Sequence, residues 1–453
     1  MAEEKTRLSR RQFVKTASMA SVGAALIGCS KRQEPEEAPK AVTPTQEPEE
    51  TPKSSTTAQE VPKRTFGKTG EQVSILSQGG ILDMRQNQLL LNQALKMGVT
   101  YWDTSEGYIN GASEEGMGQY FERNPEDRKK VFLVSKSKSR DPEGLTKSLA
   151  GSLERLKTSY VDMYFLHGID DVEKSLTPEV KQWVEKAKSD GKIKYFGFST
   201  HSNVEDCMEG AAKLGWVDGI MMAYNYRTMQ TDRVKAAVDA CTKAGIGLTA
   251  MKTQAKIPTG RVPQRPRQPL TKEQEEAMRA RMAEMREGAE KAPPDRLTLE
   301  LTERFRHKGF TLEQAKLNLV WENPQIASVC SAMYNMTVLM QNVAAATGNV
   351  RLSQKDKNLL AIHAAQTSHQ YCPGCTHHCQ SGSEKDLPIG VVMRCLMYAR
   401  DYGDRDLGKT TFQSLPAEMR RVISRTDYTE AERRCPNNLP IGELMREAAI
   451  ELA

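Results

Sequence analysis

The sequence predicts an α/β protein: an eight-stranded (β/α)8 TIM barrel followed by a small α-helical domain. Three observations predict it. Apolar, β-rich runs alternate with helical patterns eight times between Arg64 and Arg351. Five of the nine cysteines fall after residue 370, in a stretch that repeats itself once. The chain ahead of Arg64 shows no such alternation.

Composition narrows the classes. The chain has 453 residues, 38% hydrophobic and 27% charged, which allows two or three domains at roughly 100–200 residues each. A surplus of 64 Lys+Arg over 58 Asp+Glu, formally +6, is too mixed for an acidic tail or a dedicated nucleic-acid binder. Basic residues show no aromatic–basic interleaving, so nucleic acid gains no support as a partner. No apolar run approaches the ~18 residues a membrane-spanning helix needs. Nine cysteines are too few at this length for a disulfide-stapled scaffold.

Residues 1–28 read as an export address. Ser9-Arg10-Arg11-Gln12-Phe13-Val14-Lys15 precedes a short, small-residue-rich apolar run from Ala17 to Gly28. The arginine pair, with Phe13 and Lys15 behind it, resembles the twin-arginine (Tat) signal of bacteria. Leu26-Ile27-Gly28-Cys29 resembles a lipobox, which implies a lipid-modified Cys29 holding the protein to a membrane. Residues 29–63 then form a tether. Ser30 to Lys63 holds six prolines, seven glutamates and no aromatic, too little apolar surface for a core. The expected location is the periplasmic or cell-surface side of a bacterial membrane.

Residues 64–351 supply the barrel. The strand candidates are Val73–Leu76, Thr100–Asp103, Val131–Ser135, Val161–Leu166, Tyr195–Ser199, Gly219–Tyr224, Gly247–Met251 and Ala327–Ser331. Their near-continuous apolar character suits parallel strands buried on both faces. Leu145, Leu149, Leu153 and Leu156 mark the clearest amphipathic helix between them. An open doubly wound sheet is the rival fold, but no GxGxxG follows the first strand. Residues 253–309 read as an insertion after strand seven. Its centre, Thr271–Lys291, has 11 charged residues among 21, a solvated helix or a lid over the site.

Four polar residues sit where barrel chemistry is done. Asp103 ends the second strand, Lys136 the third and His167 the fourth, and Tyr108 lies in the loop after Asp103. All strand C-termini share one rim, so these side chains should converge. The set suits hydride transfer to a carbonyl. A phenol is a poor acid at neutral pH unless a cation stabilises its ionised form. Lys136 would be that cation, Asp103 its partner, and His167 would orient the carbonyl oxygen.

Here the sequence resembles the aldo/keto reductase family. The resemblance rests on Arg64-Thr65-Phe66-Gly67-Lys68-Thr69-Gly70, on Trp102-Asp103-Thr104-Ser105-Glu106-Gly107-Tyr108 with Ser113-Glu114, and on Phe132-Leu133-Val134-Ser135-Lys136. Leu166-His167, Gly197-Phe198-Ser199 and Tyr224-Asn225 continue it. It implies an NADP(H)-dependent oxidoreductase acting on a small carbonyl or alcohol, with Tyr108 as acid. It also implies Ser199 at the nicotinamide carboxamide, Tyr224 stacked on the nicotinamide and Asn342 at the nucleotide. The sequence departs from the pattern at Thr200-His201, at Met221 and at Ser331-Ala332-Met333-Tyr334-Asn335, which offers no clear cation for a 2′-phosphate. These departures leave the cofactor open.

The last segment, 355–453, carries Cys372-Pro373-Gly374-Cys375 and Cys379 as C-x2-C-x3-C, with Cys435-Pro436 apart. Leu387-Pro388-Ile389-Gly390-Val391-Val392-Met393-Arg394 aligns with Leu439-Pro440-Ile441-Gly442-Glu443-Leu444-Met445-Arg446. In that register Cys435 corresponds to Ser383. The arrangement resembles an α-helical two-cluster ferredoxin domain, in which each motif lends its Cys-Pro to the other cluster. Cys372, Cys375, Cys379 and Cys435 are then the complete ligand set of one [4Fe–4S] cluster, and the second set is gone. Zinc on the same cysteines, with His377 and His378 nearby, is the alternative, and two disulfides a third. Cys207, Cys241, Cys330 and Cys395 lack ligand spacing and read as small buried hydrophobes.

Together these readings describe an exported, membrane-anchored oxidoreductase with a ferredoxin-like iron–sulfur domain and a possible electron-transfer partner. The alternative is a non-catalytic surface lipoprotein that keeps barrel and metal site for partner binding.

Overall fold

The computed structural model describes residues 60–254, 296–348, 351–366, 371–380, 387–400 and 405–453. The export signal, Cys29, the tether up to residue 59, the charged stretch Thr271–Lys291 and Ser383-Glu384 lie outside the described residues. No described helix is long and apolar enough to cross a membrane.

A short antiparallel hairpin, β1 (Lys63–Thr65) and β2 (Gln72–Ser74), precedes the barrel. The barrel strands are β3 (Leu76–Gly79), β4 (Tyr101–Asp103), β5 (Phe132–Ser137), β6 (Val161–Leu166), β7 (Ile193–Thr200), β8 (Gly219–Ala223), β9 (Gly247–Met251) and β10 (Ser328–Ser331). All neighbours are parallel, and β10 pairs with both β9 and β3 to close the ring. Seven strands fall within two residues of their expected ends. The first does not. The run Val73–Leu76 is divided at Ile75: its first half closes the hairpin, and Leu76 opens β3. The rest of β3, Ser77-Gln78-Gly79, does not look like a strand by composition. Closure makes it one, because β10 pairs with it in parallel, Cys330 opposite Ser77 and Ser331 opposite Gln78.

Strand alternation sorts side chains into two layers. Phe66, Tyr101, Phe132, Val134, Met163, Phe165 and Met221 fill the barrel interior. Phe66 comes from the hairpin loop, so the hairpin plugs the bottom of the barrel. Outward residues such as Trp102, Leu133, Phe196, Met222 and Ala250 pack under the helices. The helices start where their caps dictate. Asp141 and Thr177 cap helices that open with Pro142 and Pro178, and Thr311 with Gln314 forms a capping box.

Two boundaries differ from expectation. Val61 is buried, and its N–H donates to the Met97 carbonyl at 3.0 Å, so the folded body already includes the end of the expected tether. Helix Gln354–Gln366 belongs to the barrel's packing: Leu360 joins its core, and Asp356 is clamped by Arg304 and Lys308.

A second core gathers residues 387–452 around Leu387, Ile389, Val392, Ile441 and Met445. The sequence repeat is a structural one. Helices Ile389–Arg400 and Ile441–Glu451 each follow a Leu-Pro turn, in which the Ile389 and Ile441 N–H groups donate to the Leu387 and Leu439 carbonyls at 2.8 and 2.9 Å. Ile389 and Ile441, and Met393 and Met445, are buried alike.

This second unit touches the barrel rim. Asn225 Nδ2 donates to the Tyr371 hydroxyl at 3.1 Å, Asn203 N–H to the Gly374 carbonyl at 2.9 Å, and Thr376 Oγ1 to Asn203 Oδ1 at 3.1 Å. Gly374 has φ of 88°, and a Cβ there would fall 2.4 Å from the His201 carbonyl oxygen, so only glycine permits this approach.

Candidate active site and cysteine cavity

The four expected catalytic residues converge at the C-terminal rim of the barrel. Lys136 Nζ lies 2.6 Å from Asp103 Oδ1 and donates to the Thr104 carbonyl at 2.7 Å and the Tyr108 hydroxyl at 3.4 Å. Lys136 and Asp103 are 1% and 2% exposed, so the pair is shielded from solvent. Tyr108 stands edge-on to His167, ring centroids 5.5 Å apart.

Burial sets the proton affinities. It pushes the Asp103 carboxyl up, against the pull of Lys136. Burial alone would lower Lys136, but Asp103, Tyr108 and Cys330 together outweigh it and hold the ammonium above its ordinary range. Burial raises the Tyr108 hydroxyl, and Lys136 draws it back only in part. The sequence led us to expect a phenol eased towards ionisation; the site instead keeps its proton firmly on Tyr108. Burial, then the cations Lys136, Lys138, Arg140 and Arg394, depress His167 to about 3, so its ring is neutral.

Side chains that sequence reasoning passed over hold these groups in place. Ser105 Oγ lies 3.0 Å from His167 Nδ1 and 3.2 Å from the Lys136 carbonyl, which it can reach as donor. Arg140 donates to the His167 carbonyl at 2.8 Å. Ser105 lies inside the Asp103–Tyr108 motif, so its position was a signal; Arg140 carried none. Cys330 on β10, expected to be a plain apolar filler, faces the barrel interior beside Asp103 and Lys136, and burial raises its thiol.

The expected nucleotide residues do not assemble as a set. Ser199 is buried near the tetrad; its Oγ accepts from Gly168 N–H at 3.0 Å, which leaves its own proton uncommitted. Tyr224 turns away. Met221 faces the barrel interior and Met222 the outer layer, so two residues on, Tyr224 is also outside, where Asn323 Nδ2 donates to its hydroxyl at 3.0 Å. The stacking role expected for Tyr224 therefore does not fit, and the reason is strand alternation. Asn342 is closed into a triangle. It accepts from Gln254 at 3.2 Å and donates to Ser331 Oγ at 3.0 Å, and Ser331 donates to Gln254 Oε1 at 2.9 Å.

Cys372, Cys375, Cys379 and Cys435 do come together. They line one cavity with Ile389, Met393 and Leu439, enclosing about 340 Å³ of empty space partly open to solvent. Leu439 N–H donates to Cys435 Sγ at 3.5 Å. Burial, then the other cysteines, raises Cys375 to about 12. None of the described cysteines is in a disulfide. Among the described residues no three His, Cys, Asp or Glu side chains are grouped to hold a single metal ion. His378 lines the cavity, whereas His377 Nδ1 is engaged at 2.9 Å by Asn203 Oδ1.

This fold and site define a class. The aldo/keto reductase family's sequence model matches residues 74–364, and the chain belongs to that family. It is 31% identical over 176 residues to Aldo-keto reductase yakc [NADP(+)] of Schizosaccharomyces pombe, covering 35% of this chain and 49% of that protein. It is 29% identical over 153 residues to the oxidoreductase YqkF of Bacillus subtilis, covering 30% and 48%. The chain thus spans about half the length of the curated relatives it matches. In structure it is similar to an aldo-keto reductase of Klebsiella pneumoniae solved with NADPH, with 21% identity, TM-score 0.50 and coverage of 67% and 95%. A thermostable aldo-keto reductase solved with the inhibitor epalrestat gives 23%, 0.50, 66% and 98%. At these identities the likeness speaks for the fold.

Proposed function

We propose that this chain is a carbonyl/alcohol oxidoreductase that works with a nicotinamide nucleotide and carries one [4Fe–4S] cluster beside the barrel mouth. We further propose Tat export and anchoring through a lipidated Cys29. One observation carries the catalytic reading: a buried lysine, held by Asp103 at 2.6 Å, meets the hydroxyl of Tyr108 at 3.4 Å.

The bound nicotinamide would supply hydride. This chain's residues do the rest. Tyr108 holds the proton destined for the carbonyl oxygen. Its high proton affinity keeps that proton in place until the oxygen gains charge, when transfer becomes favourable. Lys136 compensates the phenolate left behind, and Asp103 fixes the ammonium. Ser105 has one hydroxyl proton to give: when it goes to His167 Nδ1 instead of the Lys136 carbonyl, the ring proton sits on Nε2, free to orient the substrate oxygen. Ser199 offers its free hydroxyl proton to a carboxamide. Tyr224 and Asn342 take no part, and their engagement elsewhere favours a second reading in which the barrel binds a partner without catalysis.

For the metal, Cys372, Cys375, Cys379 and Cys435 round one cavity would hold the cluster. A lone zinc would need all four sulfurs ~2.3 Å from one point. When bound, the cluster would pass single electrons or brace the helical unit. Titration of anaerobically purified full-length protein with NADPH and NADH tests the catalytic reading; binding of neither would end it. Iron content and a visible absorption spectrum test the cluster, and a colourless protein with stoichiometric zinc would replace it.

A further inference from the structure

A second cavity lies at the seam between the barrel rim and the helical unit. His201 and Ser202 after β7, Lys252 after β9, Tyr371 and Arg394 line it, with about 330 Å³ of empty space partly open to solvent. Two basic side chains therefore line one space, one from each unit, and burial, then the neighbouring Arg394, lowers Lys252 to about 7. Neither Lys252 Nζ nor the Arg394 guanidinium forms a hydrogen bond or ion pair among the described residues. Among the described residues Lys252 Nζ stands over the Tyr398 ring, 5.5 Å from the centroid. His201 Nδ1 is buried there without a partner. Lys252 also holds a left-handed backbone, φ 59°, which a lysine adopts only under constraint.

Like charges confined together repel, and an unpartnered buried nitrogen is costly. An arginine fork, an ammonium and an imidazole together match one class of guest, a small oxyanion. His201 directly follows β7, whose Ser199 Oγ accepts from the N–H of Gly168 beside His167, so this space adjoins the reacting centre.

We propose that this cavity binds the carboxylate or phosphate group of a molecule used at the tetrad, with Lys252 and Arg394 as its two clamps. The group would belong either to an acidic carbonyl substrate or to the nucleotide. Oxyanion binding itself does not need the carbonyl chemistry; linking it to the tetrad rests on the reading above.

Full-length protein, purified anaerobically, would be titrated calorimetrically with inorganic phosphate at constant ionic strength. One site is expected, weakened about tenfold or more by Lys252→Met and by Arg394→Gln, and largely kept by Arg394→Lys. Lys252→Met lies on the barrel, and unchanged iron content in each variant excludes a collapsed helical unit as the cause. Two further arms find the source. A rise in KM confined to carboxylate-bearing carbonyls assigns the substrate, and weakened NADPH binding with every substrate assigns the nucleotide. Absence of phosphate binding, or equal binding in all variants, overturns the proposal, and a chain that binds phosphate without any turnover would sink the reductase reading alone.

Discussion

At the barrel mouth each charged member of the tetrad has its partner within the chain, whereas in the neighbouring cysteine cavity four thiols face one another round a shared space. The difference follows from how each is built. Asp103, Lys136 and His167 are placed by the register of neighbouring strands, and β4, β5 and β6 cannot form without bringing them together. The four cysteines come from one loop, one short helix and a distant turn, and they surround empty space. A strand-built site is complete when the barrel closes. A loop-built one would, on the proposed reading, be completed by its guest, the cluster.

Removing the guest should give the largest effect. Structural metal sites are worth on the order of 10 kcal/mol. Cys372→Ser with Cys435→Ser should therefore abolish iron binding and melt the helical unit while the barrel survives, seen as loss of one calorimetric transition with the other kept. A single transition lost whole would show that the barrel depends on the cluster too. Next comes Lys136→Met. It strands the Asp103 charge in the interior, at a cost of about 3–5 kcal/mol measured by urea denaturation, and leaves iron content unchanged.

Acid should separate the two regions further. His167 is held at about 3, far below its ordinary value of about 6.5. Below that ordinary value the unfolded chain takes up a proton that the folded chain refuses. The stability linked to His167 is thus complete above about pH 6.5 and declines as the pH falls towards about 3. Denaturation midpoints of wild type and His167→Gln should converge over that interval; parallel curves would mean the ring is not shielded. The smallest effect belongs to Tyr224→Phe. Losing the Asn323 bond should cost about 0.5–1.5 kcal/mol of stability and leave nucleotide affinity unchanged. A tenfold loss of affinity would instead return Tyr224 to the mouth.

Much of this was legible in the residues. The apolar runs placed seven strands because parallel strands are buried on both faces, and the polar residues at their ends marked the rim. The cysteine spacing named four side chains that share a cavity 56 residues apart in sequence between Cys379 and Cys435. What escaped notice depended on closure or on facing. Ser77-Gln78-Gly79 is a strand only because β10 returns to it. Tyr224 matches a motif, but a motif does not say which face of a strand it occupies. Helix Gln354–Gln366 follows the last βα unit and by sequence alone reads as part of the next domain; only its packing through Leu360 and Asp356 returns it to the barrel. Lys252 and Arg394 are 142 residues apart, and nothing in their local sequence pairs them.

The central claim is that the buried Lys136–Tyr108 pair delivers a proton during hydride transfer. The direct measurement is aldehyde-dependent NADPH oxidation by anaerobically purified full-length protein, wild type against Tyr108→Phe. The expected result is saturable nucleotide binding by both, with turnover lowered about 10²–10⁴-fold in the variant and its melting temperature kept. Equal rates in the two proteins, or no nucleotide bound by the wild type, would contradict it.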